Sequence, residues 1–278
     1  MELLQYYAME RFLLRMSKSG HADSFVLKGA LLLRVVGMNE ARPTKDIDLL
    51  GMAEENMERL KQVVRGCCTS KVEEDGLEFH PDTVDGVAIR EDQAYQGVRI
   101  TFNANLGSAR ISMQIDIGFG DVVSPKPLLV EYPVLLDGES PKLYAYTLES
   151  AIAEKYHAMV NLDLANSRMK DFYDIWYLST NHRFTGHEFA EAMEKTFKRR
   201  KTDLPAEPPT AVTEEFYNNG SKTAQWNAYR KKISGFESPA TLEEVIHCIR
   251  NFLWPVNEKI IRKKKNRGVW NPGKGWMK

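Results

Sequence analysis

The sequence is poor in cysteine and contains neither a long apolar run nor an excess of one charge sign. Its 278 residues include only three cysteines, two adjacent and one distant, which fits neither a disulfide framework nor zinc-ligand spacing. No apolar run approaches the ~20 residues of a membrane-spanning helix, and charged side chains interrupt residues 1–17, unlike a secretion signal. We therefore expect a cytoplasmic protein with reduced, structural cysteines and no membrane partner.

The motifs of several common enzyme classes are also missing. There is no Walker-type phosphate loop and no Rossmann glycine fingerprint, and the six histidines show no metal-ligand spacing. The composition, with 43% apolar and 27% charged residues, is that of an ordinary globular protein. None of these motifs therefore points to a site in this sequence.

The zero net charge conceals an uneven distribution. Residues 255–278 hold eight basic side chains against one acid, so this segment carries +7 and the rest of the chain −7. Such a segment can bind the phosphates of RNA, with Trp254, Trp270 and Trp276 available for base stacking, and the basic cluster at 195–201 could contribute. Basic runs are, however, more often solvated tails.

Hydrophobic periodicity predicts an α/β first half and a mostly helical second half, divided near residues 124–146. The predicted first-half elements are a helix (1–18), a strand (24–27), a helix (30–36), a strand (46–51), a helix (54–65) and a hairpin (98–102 with 110–117). Residues 71–92 are expected to form loops with a weak strand. The second half is expected to contain helices at 147–164, 167–179 and 241–254. At the domain level we expect a core domain over 1–135 and a helical domain with a basic tail over 136–278.

Three acidic residues lie on predicted strands. Asp46 and Asp48 alternate with aliphatic residues, so both point to one face of their strand at a spacing that can share a divalent cation. Most such pairs taken alone are solvated edge positions. Asp116 lies on the polar face of the second hairpin strand, away from its apolar side chains. If the three carboxylates converge, they could hold two Mg²⁺ ions ~3.5 to 4 Å apart and orient the phosphates of a nucleotide.

Gly29 stands where the first strand would become a helix. The backbone N–H groups of a helix that begins there could bind the same phosphates. An ordinary turn glycine is the alternative.

Lys155 occupies the apolar stripe of its predicted helix, where a lysine requires a partner or a route to solvent. Asp171 lies among core positions of the following helix. The two side chains could form a buried ion pair of purely structural importance, or they could belong to a functional site.

The order of these features resembles the nucleotidyltransferase superfamily with the polymerase-beta type catalytic core. More narrowly, the segments that carry the likeness resemble the AbiEii/AbiGii family of toxin nucleotidyltransferases over about residues 20–180. They are Phe25-Val-Leu-Lys-Gly-Ala30, Thr44-Lys-Asp-Ile-Asp-Leu49, Gln114-Ile-Asp-Ile117, Lys155 and Arg168-Met-Lys-Asp-Phe-Tyr-Asp174.

The resemblance implies an α/β (α+β) nucleotidyltransferase core with a mixed sheet flanked by helices. It implies the toxin of an AbiE-type toxin–antitoxin pair, linked to phage defence, whose relatives use Mg²⁺ and an NTP and in some cases modify the 3′ end of tRNA. Asp46, Asp48 and Asp116 would bind the metal ions. Lys155 would hold the triphosphate, with Asp171 as its orienting group or as a base. The sequence places further nucleotide-binding candidates at Lys28, Gly29, Ala30 and Lys45.

One departure leaves two alternatives open. The superfamily usually has a second small residue and then Ser or Thr after the first glycine, whereas Ala30 and Leu31 follow Gly29 here. A catalytically inactive module that binds nucleic acid or protein on the same fold is therefore the second hypothesis. A nucleotidyltransferase with a small-molecule acceptor is the third.

Overall fold

The computed structural model describes residues 2–37, 43–53, 56–92, 95–233 and 238–278. The chain divides into two compact units. The first comprises residues 1–121 and 127–146, and the second comprises 122–126 and 147–278. The domain boundary at residue 135 stays a prediction, while the compact units separate between Tyr146 and Thr147.

The first unit is built on a seven-stranded sheet in the order β3-β4-β5-β2-β1-β7-β6. The strands are β1 Phe25–Lys28, β2 Ile47–Gly51, β3 Leu77–Asp92, β4 Tyr95–Leu106, β5 Ala109–Phe119, β6 Leu128–Glu131 and β7 Lys142–Ala145. β2 pairs in parallel with β5, and β1 with β7, whereas the remaining neighbours are antiparallel. The predicted mixed sheet flanked by helices is therefore confirmed.

Three helices accompany this sheet, α1 Glu2–Lys18, α2 Gly29–Val35 and α3 Met57–Cys68. The predicted amphipathic helix α1 is buried all round between Ala8 and Met16, because its polar face also has partners. Arg15, for example, pairs with Asp75 at 2.6 Å. The Asn56 side chain caps α3 by accepting from the backbone of Arg59. The predicted start of α3 at residue 54 lies outside the described residues.

Residues 71–92 contain more strand than the sequence predicted. They were expected to form loops with a weak strand, but β3 covers Leu77–Asp92 and pairs with β4 on both sides of a register shift. Proline at 81 and a register shift between His80 and Asp85 interrupt the regular alternation, as is common at sheet edges. The length of the predicted weak strand was underestimated because it is an edge strand in which polar side chains face solvent and only a few residues are buried.

The second unit is mainly helical. Its helices are α4 Leu148–Leu162, α5 Met169–Asn181, α6 Gly186–Arg199, α7 Glu214–Asn218, α8 Gly220–Lys232 and α9 Leu242–Ile261. The side chain of Thr147 caps α4 by accepting from Ser150, as the sequence predicts. A small sheet joins β8 Phe184–Thr185, β9 Val269–Asn271 and β10 Gly275–Met277.

The end of the chain is folded into this unit. Helix α9 passes through Pro255 and ends at Ile261, beyond the predicted end at 254, because buried Val256 continues its apolar stripe. Trp270 is buried, and its indole Nε1 donates to the Ser179 carbonyl at 2.6 Å. Trp276 donates to the Phe252 carbonyl at 2.8 Å. The prediction that Trp270 is available for base stacking was therefore wrong.

No helix in the described ranges combines the length and the apolar character needed to cross a membrane.

Candidate active site

Four charged side chains form a row across the sheet of the first unit. Lys28 of β1 is paired with Asp48 of β2, Asp48 with Asp116 of β5, and Asp116 with Arg99 of β4. Directly paired residues on neighbouring strands point to the same face. The four side chains on this face of the sheet are therefore, in order, a cation, two carboxylates and a second cation.

Asp46 joins the two carboxylates of this row. One ligand oxygen from each of Asp46, Asp48 and Asp116 lies within 4.8 Å of the others. The alternation of the strands explains the arrangement, since Ile47 and Ile115 are almost fully buried on the opposite face. The structure thus brings Asp116 together with Asp46 and Asp48, which are far from it in the sequence.

The donor set fits a hard divalent cation such as Mg²⁺. All three groups offer carboxylate oxygens, which Mg²⁺ prefers, and the cluster contains neither thiolate nor imidazole. Because Mg²⁺ binds oxygen at about 2.0 to 2.1 Å, small side-chain adjustments would let these carboxylates share ions. Asp116 is buried, whereas Asp46 and Asp48 are half-buried and can be reached from solvent.

Gly29 is required by the close approach of α2 to Asp48. Its φ is +69°, and a Cβ added there would lie 1.9 Å from Asp48 Oδ2. A side chain would therefore collide with a candidate metal ligand. This contact distinguishes Gly29 from an ordinary turn glycine and ties the start of α2 to the acidic cluster.

The other predicted nucleotide-binding residues lie around this point. Lys28 is buried, with its Nζ 3.4 Å from Asp121 and 5.7 Å from the centre of the Tyr146 ring. Ala30 is buried in the first turn of α2. Lys45 is exposed immediately before Asp46.

Arg99 is a member of the cluster that the sequence analysis missed. Its Nε and Nη2 donate to the two carboxylate oxygens of Asp116 at 2.8 and 2.7 Å. The hydrogen bond and the charge of Asp116, with the charges of Asp46 and Asp48, raise the pKa of Arg99 above its usual value. The sequence could have indicated this contact. A two-residue turn at Gly107 and Ser108 sets the register of the hairpin, and that register pairs Arg99 with Asp116.

Lys155 and Asp171 lie in the second unit and form a buried charge network. Lys155 Nζ is 2.9 Å from Asp171 Oδ1 and 2.9 Å from Asp174 Oδ2. Arg168 Nε lies 2.7 Å from the other oxygen of Asp171. Both aspartate side chains are 1% exposed, so this network holds two carboxylates away from water. The ion pair expected for the structural alternative is present, while a role of Lys155 with nucleotide stays a prediction.

A solved structure of low sequence identity has a similar fold. JHP933 from Helicobacter pylori matches with a TM-score of 0.52 and 13% identity, covering 94% of each chain. A candidate nucleotidyltransferase from H. pylori covers 86% of this chain and 98% of its own at 12% identity. Its TM-score is 0.41. A search of curated protein sequences gives no match.

Family membership follows from the sequence model of the nucleotidyl transferase AbiEii toxins of Type IV toxin–antitoxin systems. This model matches residues 11–252, which include both the acidic cluster and the Lys155 network. The chain therefore belongs to the AbiEii nucleotidyl transferase toxin family, and the predicted resemblance is confirmed.

We expect Gly29→Ala to destabilise the protein more than a glycine replacement that introduces backbone strain alone. Gly107→Ala is the matched control, since Gly107 has φ +57° with nothing within 4 Å of an added Cβ. The control should lower the free energy of unfolding by about 1 to 2 kcal/mol. Gly29→Ala should lower it further, because Asp48 must also move. Equal losses in urea denaturation would contradict the close approach.

We expect Lys155→Met to lower the free energy of unfolding by about 3 to 5 kcal/mol, because it leaves two buried carboxylates without their shared cation. The triple variant Lys155→Met, Asp171→Asn, Asp174→Asn should regain much of this loss, since neutral groups tolerate burial better. Thermal and urea unfolding of both variants measure the effect. A single variant as stable as the original protein would show that the network is not a stabilising one.

Proposed function

We propose that this protein is an Mg²⁺-dependent nucleotidyltransferase that transfers NMP from an NTP to the 3′ end of an RNA, foremost a tRNA. It acts as the toxin of an AbiE-type pair. The observation that carries the proposal is the cluster of Asp46, Asp48 and Asp116 within 4.8 Å, in a chain of the AbiEii family. A cognate antitoxin, a role in phage defence and a cytoplasmic location are parts of the proposal that rest on family membership.

In the proposed mechanism Asp46 and Asp48 hold the metal ions, and Asp116 completes the ligand set. Bound Mg²⁺ supplies charge neutralisation and alignment of the phosphates during in-line displacement. The oxygen of the RNA 3′ hydroxyl forms a bond to the α-phosphorus of the NTP. The bond from that phosphorus to the bridging oxygen breaks, pyrophosphate leaves with the bonding electrons, and an acidic side chain acting as general base accepts the hydroxyl proton.

Other residues are proposed to bind the nucleotide. Lys28 and Lys45 supply positive charge beside the acidic cluster, and the backbone at Gly29 and Ala30 lies next to Asp48. We further propose that Lys155 holds the triphosphate, with Asp171 as its orienting group or as a base. This assignment rests on the family motif and on the direct contact between the two side chains.

A basic segment at residues 262–267 supports an RNA acceptor. Its cationic side chains are exposed, namely Arg262, Lys263, Lys264, Lys265 and Arg267. The segment is not a loose tail, because it connects α9 to β9 and buried Asn266 lies within it. Gly186 also donates its backbone N–H to Gly268 at 2.7 Å directly after the segment. Exposed lysine and arginine side chains on an ordered backbone can neutralise the phosphates of RNA.

Asp48→Asn should abolish nucleotide incorporation while the protein remains folded, because a neutral amide is a poor ligand for Mg²⁺. Incubation with each labelled NTP and total RNA, followed by mapping of the labelled ends, measures the effect. Asp82→Asn, at an exposed position on β3, is the control and should retain full activity.

Two outcomes would contradict the proposal. Undiminished incorporation by Asp48→Asn would refute the assignment of the acids. Absence of Mg²⁺-dependent NTP affinity in calorimetry of the unaltered protein would favour the inactive binding module.

Replacing Lys263, Lys264 and Lys265 together by Ala should weaken RNA binding about tenfold at moderate salt and flatten its salt dependence, because fewer counterions are released. Replacing exposed Lys231 and Lys232 by Ala is the control for charge alone and should have a smaller effect. RNA affinity and transfer as functions of NaCl concentration provide the measurement. Unchanged RNA affinity and transfer by the triple variant would show that this basic segment does not bind the acceptor.

A further inference from the structure

Arg99 competes for the atoms that the metal site needs. Its guanidinium occupies both carboxylate oxygens of Asp116, with donor–acceptor distances of 2.8 and 2.7 Å. The same carboxylate belongs to the acidic cluster whose ligand oxygens lie within 4.8 Å of one another. A bidentate Arg–carboxylate pair is among the stronger ion pairs in proteins. A cation that binds Asp116 must therefore share these oxygens with Arg99 or displace it.

The surroundings hold the guanidinium in this position. The register of the β4–β5 hairpin places Arg99 directly opposite Asp116. With its oxygen turned toward Arg99, the Gln114 amide accepts from Nε at 3.2 Å and from Nη2 at 3.3 Å. Arg99 is thus fixed at both ends, by the strand pairing at its backbone and by two acceptors at its head.

The ion pair between Arg99 and Asp116 can nonetheless separate, because the guanidinium lies close to solvent. The side chain of Arg99 is 39% exposed, whereas that of Asp116 is 9% exposed. Withdrawing the guanidinium moves it toward water and leaves the carboxylate in place. The exchange of a guanidinium for a metal ion therefore requires no rearrangement of β5.

We propose that Arg99 is the internal counter-ion of the metal site. It holds Asp116 in its ligating position when the protein is free of metal, and it lowers the affinity of the three acids for divalent cations. Arg99 is a positioning residue that acts through Asp116. The inference rests on the proposed function, because it takes Asp46, Asp48 and Asp116 as metal ligands.

The test is the affinity of the full chain for Mn²⁺ alone. Electron paramagnetic resonance of the free ion and calorimetry both measure this affinity. Arg99→Ala should bind Mn²⁺ about tenfold more tightly than the unaltered protein, because a competing charge-assisted pair is removed. Arg99→Lys keeps the charge but loses the two-point contact, so its affinity should lie between the two.

Arg110→Ala is the matched control. Arg110 lies on the same strand as Asp116 but is paired with Asn105, and it is exposed. Its replacement removes one positive charge from the hairpin and should leave the Mn²⁺ affinity unchanged. Circular dichroism of each variant shows whether the fold is retained. If Arg99→Ala does not fold, Arg99→Lys carries the same comparison.

The outcomes separate this inference from the proposed function. Tighter binding by Arg99→Ala, with Arg110→Ala unchanged, supports the counter-ion role. Equal or weaker binding by folded Arg99→Ala and Arg99→Lys would overturn that role while leaving the metal site intact. Absence of Mn²⁺ binding by every protein, including the unaltered one, would overturn both.

Discussion

The first unit depends on holding two like charges side by side. Asp48 and Asp116 are directly paired on the parallel strands β2 and β5, where carboxylates at neighbouring positions repel each other. The row compensates for this repulsion at its two ends, with Lys28 on β1 and Arg99 on β4. The arrangement gives Asp116 a guanidinium partner and still offers oxygen ligands to a metal ion. A protein in which acids converge thus also needs cations placed beside them.

The sequence predicted most of this site because strand periodicity determines which side chains share a face. Asp46 and Asp48 alternate with buried Ile47, and Asp116 lies between buried Ile115 and Ile117. What periodicity could not supply was the order of the strands. That β2 lies beside β5 is a long-range pairing, and no local pattern specifies it. Arg99 is a different case, because its pairing with Asp116 follows from the two-residue turn of the hairpin and could have been found locally.

In the second unit, the sequence predicted one contact of the buried charge network but not the packing at the end of the chain. A lysine in an apolar stripe required a partner, and the expected contact between Lys155 and Asp171 is present. The contribution of Asp174 as a second partner was not anticipated. The three-residue strands β9 and β10 are too short to give a periodic signal, so the burial of Trp270 could not be predicted. From its charge alone, the end of the chain was expected to be a solvated tail. In the structure it is packed into the fold.

The account depends on divalent ions bound among Asp46, Asp48 and Asp116. Crystals of the protein soaked in MnCl₂ and measured at the manganese absorption edge test this most directly. We predict one or two anomalous peaks at coordination distance, about 2.0 to 2.3 Å, from oxygens of these three side chains. Manganese peaks elsewhere on the molecule, with none among the three carboxylates, would contradict the account.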